Sequence, residues 1–349
     1  MSGPKVAVVG GYAFGFLSES ALAGFRAAGC RAELVPYQNW TPRVTWSGRG
    51  SGLATRAATA VARPFLEVLL VETIAALDAD LVLFVKCDDL SAGCYRALRR
   101  RTRAKLFAFH PDDPFRHGSA LRPTAVHPGS RVQLREVDAF FIWSHALVDK
   151  ALAAGARRAF YLPFASDPLI HHPVPITEAD RTTYGADVCF VGNWDAHREA
   201  WLSALTDFDL AIWGADYWGS RCANPRLRAA WRGRALFGDE MAKAAICSKV
   251  NINVLREQNK DACNMRTFEI PATGGFLLHE QSRDLPALFP PGVACDTFAS
   301  PDELRAKVAH HLAHDAERMR IAEAGFARAR TSTYTEWARR VIDVHASLQ

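Results

Sequence analysis

Two stretches of the chain bring acidic, basic and glycine residues close enough in sequence to share one task. The first, NMRTFEIPATGGFLLHE, runs from Asn264 to Glu280 and carries Arg266, Thr267, Glu269, Pro271 and the pair Gly274-Gly275 ahead of an apolar run. The run after the glycines reads as a buried strand and the residues before them as a short helix. Pro271 is poorly tolerated deep in a helix, so Glu269 is expected in the first turn. A carboxylate there offers two acceptor oxygens and can hold the two hydroxyls of a ribose. A helix start and a Gly-bearing turn expose free backbone N–H groups to an anion, and Arg266, Arg256 or Lys260 could neutralise a diphosphate. Asp261 stands eight positions before Glu269, in a loop. The same spacing also suits a helix-to-strand connection whose glycines only cap the helix.

The second stretch is HPDDPF, His110 to Phe115. It places His110, Asp112 and Asp113 just after an apolar strand, where a carboxylate or imidazole could take a proton from an attacking hydroxyl. An Asp-Pro turn bonded to its own backbone is the alternative. Asp88 and Asp89 follow another apolar run and read as caps of the helix after Leu90.

The elements that must position these groups alternate. Apolar runs at Lys5–Gly10, Ala32–Tyr37, Asp80–Lys86, Lys105–His110, Asp138–Ser144 and Arg158–Phe164 are separated by helical patterns, one of them opened by Pro64. Gln38 to Arg56 reads as a long polar surface loop. A Pro-rich, polar stretch lies between Ala165 and Ala186. Alternation then restarts with Asp187–Asn193, Asp209–Gly214, Lys249–Leu255, Phe276–Glu280 and Val293–Cys295, and the chain from Pro301 onward is helical. This predicts two Rossmann-like α/β domains with parallel sheets, at 1–165 and 187–330, a linker at 166–186, and a last helix at 331–349. Ligands of such sheets bind outside the carboxyl ends of the strands, so each candidate residue should follow a strand, in a crevice between the two domains.

Composition sets the limits. A chain of 349 residues with 49% hydrophobic and 23% charged residues is of soluble, globular type and long enough for two cores. A net charge of +5 suits an anionic small molecule or a lipid headgroup surface and does not argue for nucleic acid. The Arg99, Arg100, Arg101 and Arg103 run reads as the solvated end of a helix. Eight scattered cysteines with no C-x-x-C pair predict a reducing compartment and no zinc site. The N-terminus lacks the pattern of a signal peptide, and no apolar segment is long enough to span a bilayer. Neither Gly10-Gly11-Tyr12-Ala13-Phe14-Gly15 nor Val191-Gly192-Asn193-Trp194 is a dinucleotide fingerprint, and no P-loop or G-x-S-x-G elbow occurs.

The Asn264–Glu280 segment resembles the hallmark segment of CgeB-like glycosyltransferases, within the GT-B group that uses nucleotide-sugar donors. DVCFVGNWDAHREAWLSAL, IWGADYW and DELRAKVAHHL resemble further parts of that family, and HPDDPF and YLPFASDPLIHHP do so more loosely. The resemblance implies a GT-B fold with the donor on the C-terminal domain and the acceptor on the N-terminal domain. It places Glu269 at the second acidic position of an E-x7-E element, on the donor ribose, and Asp261 at the first, facing the sugar, with Asp in place of Glu. Gly274 and Gly275 match small residues beside the nucleotide. Gly192, Asn193 and Arg198 fall where relatives bind phosphate, and Asn264, Arg266 and Thr267 lie in the donor segment. The last helix, with Tyr334 and Trp337, is implied to cross back onto the N-terminal domain. The expected activity is sugar transfer from a nucleoside diphosphate to a hydroxyl of a glycan, lipid-linked or protein acceptor, as in polysaccharide biosynthesis, without a metal or other cofactor. The expected setting is the cytoplasm, with peripheral contact to the inner face of the membrane. A nucleotide-sugar epimerase and a non-catalytic nucleotide-binding protein are the alternatives.

Overall fold

A computed structural model describes residues 3–11, 17–40, 51–115 and 126–348, without the side chains of 51–56 and 258. The chain divides into two compact units, 1–162 with 334–349, and 163–333. The first holds a six-stranded parallel sheet of β1 (Lys5–Val9), β2 (Arg31–Val35), β3 (Leu81–Val85), β4 (Lys105–His110), β5 (Ala139–Ile142) and β6 (Ala159–Tyr161), in the order β2-β1-β3-β4-β5-β6. Parallel strands need helical crossovers that cover both faces, and β3 (LVLFV) is accordingly buried at every position.

The Tyr334–Ser347 helix belongs to this first unit. Its Trp337 ring meets Phe25 at 6.2 Å and Phe109 at 5.2 Å between centroids, both edge-on. Gly24 lets the Leu17–Ala27 helix approach it closely. A Cβ at Gly24 would lie 2.2 Å from the Tyr334 carbonyl oxygen.

The second unit holds β7 (Ala186–Val191), β8 (Leu210–Trp213), β9 (Ser248–Asn253), β10 (Leu277–Glu280) and β11 (Asp296–Phe298), all parallel, in the order β11-β10-β9-β7-β8. Its core is built on Val188, Phe190, Ile212, Trp218, Ile252 and Leu278. Two parallel-sheet Rossmann-like units are therefore the architecture, as the alternation predicts.

Several local expectations fail for identifiable reasons. The helix read as opening at Pro64 runs from Ser51 to Leu77 with Pro64 inside it, so the expected Gln38–Arg56 loop is helical from Ser51 onward. Tyr37–Trp40 is a short helix, and 41–50 lies outside the described residues. Asp88 and Asp89 do not cap the following helix. Ser91 does, accepting the Cys94 N–H. Gly292–Ala294 is a turn closed by the Ala294 N–H to Pro290 O bond, Cys295 makes an isolated bridge with Pro291, and the last strand follows it.

Residues 166–186 fold with the second unit rather than as a linker. Their polar groups find local partners that hydrophobic periodicity does not report. Thr177 and Asp180 form a capping box on the Glu178–Tyr184 helix, and Lys243 pairs with Asp180 at 2.8 Å. All eight cysteines are free and seven are buried.

Candidate functional site

In the second sheet the strand order reverses between β7 and β9, and a doubly wound sheet binds its ligand at the carboxyl edge of that point. Three arginines converge there. Arg198, on the Ala196–Leu202 helix, is buried and joins the two strand ends: Nε donates to Val254 O at 2.9 Å and Nη1 to Asn193 O at 3.0 Å. Burial, with the Arg256 charge after it, lowers the Arg198 guanidinium to about 10. Arg266, opening the Arg266–Ala272 helix, donates from Nε to Val191 O at 3.2 Å. Arg256 is exposed just after β9, its Nε 3.8 Å from Asp195 Oδ2. Asn193 is exposed and accepts the Ala215 N–H at 3.2 Å.

Gly192 has a geometric reason. A Cβ there would lie 2.9 Å from the Phe190 ring and 3.3 Å from Arg198 Nη1. A side chain would displace the guanidinium that ties β7 to β9.

Glu269 lies in the first turn of its helix, as expected, but is buried and already engaged. Its Oε2 pairs with Arg266 Nη1 and its Oε1 lies 3.5 Å from His171 Nε2. Burial alone would raise the Glu269 carboxyl. The charges of Arg266 and His171 outweigh it and hold the group below the ordinary glutamate range. His171 in turn is lowered, first by burial, and its Nδ1 accepts the Asp167 N–H at 3.0 Å.

Other predicted residues are placed elsewhere. Asn264 exchanges amide hydrogen bonds with Asn253 at 2.9 and 3.0 Å. Thr267 is fully buried, its hydroxyl 2.8 Å from His279 Nε2. Both belong to an internal polar network that anchors the helix to β9 and β10 rather than presenting groups to a ligand.

Gly274 and Gly275 lie at the far end of that helix and close it. Gly274 has φ +89 and donates to Pro271 O, and Gly275 donates to Ile270 O. The chain then enters β10 at its amino end, so these glycines cap the helix at the edge opposite Arg266. Asp261 is exposed, and Lys260 pairs with Glu257 at 2.9 Å.

In the first sheet the order reverses between β1 and β3. Lys86 and Cys87, just after β3, have φ of +66 and +48, a left-handed conformation that side chains other than glycine rarely adopt. Gln133 Nε2 holds it by donating to Lys86 O at 2.6 Å and Cys87 O at 3.3 Å. Asp112 is partly exposed and pairs with Lys86 Nζ at 2.7 Å.

Asp113 accepts the Phe115 N–H at 2.9 Å, an Asx turn. His110 is 2% exposed and turned inward, with Nδ1 2.8 Å from Asp112 O and Nε2 3.3 Å from Ser130 Oγ and 3.5 Å from Asp88 Oδ2. It stands at the carboxyl end of β4, as expected, but buried. Burial would raise the Asp88 carboxyl, but His110, Lys86 and His127 leave it well below the usual range. Among the described residues no group of three His, Cys, Asp or Glu is placed to hold a metal ion.

Sequence reasoning missed His171, His197 and Glu280. His197 Nε2 lies 3.0 Å from Glu280 Oε1, while Glu280 Oε2 accepts the Leu255 N–H at 2.7 Å, so this carboxylate fixes the end of β9. Glu280 closes the apolar run of the motif, and a charge ending a buried strand was the available signal. Nothing local marks His171, which meets Glu269 only through tertiary packing.

Residues 197–346 match a family model described as glycosyl transferase-like. No curated protein matches the chain. Among solved structures, sucrose-phosphate synthase from Thermosynechococcus elongatus is similar over 99% of both chains, at 12% identity and a TM-score of 0.71. HepE of Anabaena, solved in complex with UDP-glucose, is similar over 99% of this chain and 100% of its own, at 11% identity and 0.66. A glycosyltransferase from Rickettsia africae is similar over 99% of both chains, at 10% identity and 0.65. The fold is that of GT-B glycosyltransferases, two parallel-sheet Rossmann-like units, and a glycosyl transferase-like match covers most of the second unit and the last helix.

Proposed function

We propose that the chain is a glycosyltransferase that moves a sugar from a nucleoside diphosphate to a hydroxyl of a glycan, lipid-linked or protein acceptor. The observation that carries this is the convergence of Arg198, Arg256 and Arg266 at the β7–β9 edge, within the segment that matches the glycosyl transferase-like model. Fixed positive charge at that point suits a leaving diphosphate, since the bond from the anomeric carbon to the diphosphate oxygen breaks with its electron pair going to the oxygen. Arginine charge does this without a metal or other cofactor.

Glu269 takes the ribose hydroxyls in this reading, held ionised by Arg266. On the first unit Asp112 is the best placed of the carboxylates proposed as base, because Asp113 is committed to its turn and His110 is buried. The acceptor oxygen bonds the anomeric carbon and its proton passes to that carboxylate. The E-x7-E resemblance favours retention at the anomeric carbon.

Release of nucleoside diphosphate from a panel of uridine, guanosine, thymidine, adenosine and cytidine diphosphate sugars, with and without acceptors, tests this. No turnover with any acceptor, together with measurable nucleotide binding, would favour a non-catalytic binding protein. An epimerase reading draws on one further likeness, a putative UDP-N-acetylglucosamine 2-epimerase from Listeria monocytogenes at 12% identity and a TM-score of 0.55. Mass-neutral conversion of the donor sugar identifies that activity.

A further inference from the structure

The Ser51–Leu77 helix is apolar on two faces. Leu70, Val71 and Ile74 are buried, which accounts for one. On the other, Val61, Phe65, Val68 and Leu69 are 75%, 78%, 63% and 51% exposed. Their i, i+4, i+7, i+8 spacing puts them in a single stripe. Single exposed apolar side chains are ordinary, but a continuous stripe on one helix marks a surface that meets something. Glu72, the next residue along that stripe, is tied to Arg101 at 2.6 Å.

Beside the stripe lies a groove of about 400 Å³ against the Ala92–Arg101 helix, walled by Val68, Val71 and Ala97 and edged by Arg100 and Arg101. Arg96, Arg100 and Arg103 are exposed, and no acidic residue among those described pairs with them. Arg99 is different, being held by Asp138 at 2.9 Å.

The groove edge carries the unpaired Arg100, with Arg96 one turn before it on the same helix, while the two carboxylates of the lining are engaged, Glu72 with Arg101 and Glu67 with Ser91. That balance suits an interface whose charge is negative and whose interior is apolar. A second copy of this chain seated on the stripe would offer those arginines no free carboxylate from the groove, since Glu67 is held by Ser91 and Glu72 by Arg101. Among the described residues no helix is long and apolar enough to cross a membrane, so the contact would lie in the plane of the surface.

We propose that this face of the first unit docks on an anionic phospholipid bilayer. Val61, Phe65, Val68 and Leu69 enter the boundary between headgroups and acyl chains, and Arg96, Arg100 and Arg103 meet the phosphates. The inference is independent of the donor site, and either can fail alone.

Co-sedimentation of the full chain with vesicles of phosphatidylcholine, or of phosphatidylcholine mixed with phosphatidylglycerol, tests it. The chain is expected to pellet with the phosphatidylglycerol vesicles and to be released as salt rises. Phe65→Ser combined with Val68→Ser should lower partitioning about tenfold or more, and Arg96→Glu combined with Arg100→Glu should do the same. Both should leave thermal unfolding unchanged. The glutamate pair changes only exposed side chains and carries the test if the serine pair unfolds. Pelleting with neither vesicle type, or equal pelleting of all variants, overturns the proposal. So does a dimer in light scattering that the serine pair dissolves, which would make the stripe a protein interface.

Discussion

Arg266 and Glu269 stand three residues apart on one short helix and pair with each other, while His171 Nε2 lies 3.5 Å from the other Glu269 oxygen. The carboxylate proposed for the donor ribose is thus already oriented from both sides before any ligand arrives. It serves the fold and the proposed site at once, and a substitution there should be read on both.

Glu269→Ala should weaken nucleotide binding by about 1.5–3 kcal/mol, one charge-assisted hydrogen-bonding group, and should also lower the melting temperature because Arg266 loses its partner. Calorimetric titration and thermal unfolding separate the effects. Unchanged donor affinity would remove the ribose role and leave only the structural one.

The same carboxyl gives an acid-side signature. Its folded pKa is depressed below the ordinary glutamate value of 4.5, so its contribution to stability is full above that value and is lost as pH falls through the folded pKa. Glu269→Gln should flatten the acid limb of stability against pH below about 4.5. A limb of unchanged slope would mean the ion pair contributes nothing measurable.

His279 acts at higher pH. Burial lowers it to about 4 from 6.5, because a charged ring in that interior would lose water without an anion to replace it. The folded state therefore refuses a proton that the unfolded chain takes up. Stability is full above about 6.5 and should fall by about 3 kcal/mol as pH drops towards 4. Urea unfolding of the native chain and of His279→Gln between those limits checks this, with the variant expected to lose the dependence.

Arg256 and Arg198 should separate binding from folding. Arg256 is exposed, so Arg256→Ala should cost nucleoside diphosphate affinity by about tenfold or more with a stability change within about 0.5 kcal/mol. Arg198→Ala removes a buried guanidinium that joins the ends of β7 and β9, and should lower stability as well. If neither changes nucleotide affinity, the arginine cluster is not the diphosphate site.

Asp112→Asn should lower turnover while leaving donor affinity intact, whereas Asp113→Asn should act through its turn alone, costing about 1 kcal/mol or less of stability. Steady-state kinetics of the two variants decide between them. Full activity in Asp112→Asn would leave HPDDPF as a turn.

The alternation of apolar runs and helical patterns was enough to determine two parallel Rossmann-like sheets, because a strand buried on both faces announces itself by composition. Glu269 near a helix start was legible for the same kind of reason, since Pro271 and the glycines bracket a short helix. What only the tertiary structure decided was which groups end at which edge and what already occupies them. Gly274 and Gly275, set beside the nucleotide by the resemblance, close the helix, as the alternative reading of the same spacing has it, and the helix carries them to the edge opposite Arg266. Asn264, Thr267 and His110 looked available because hydrogen-bond partners distant in sequence, Asn253, His279 and Asp88, are invisible until the chain folds. Arg256 and Arg198, fifty-eight positions apart, meet at one strand reversal because a parallel sheet sets β7 beside β9. That neighbour relation is a property of topology, and no local pattern encodes it.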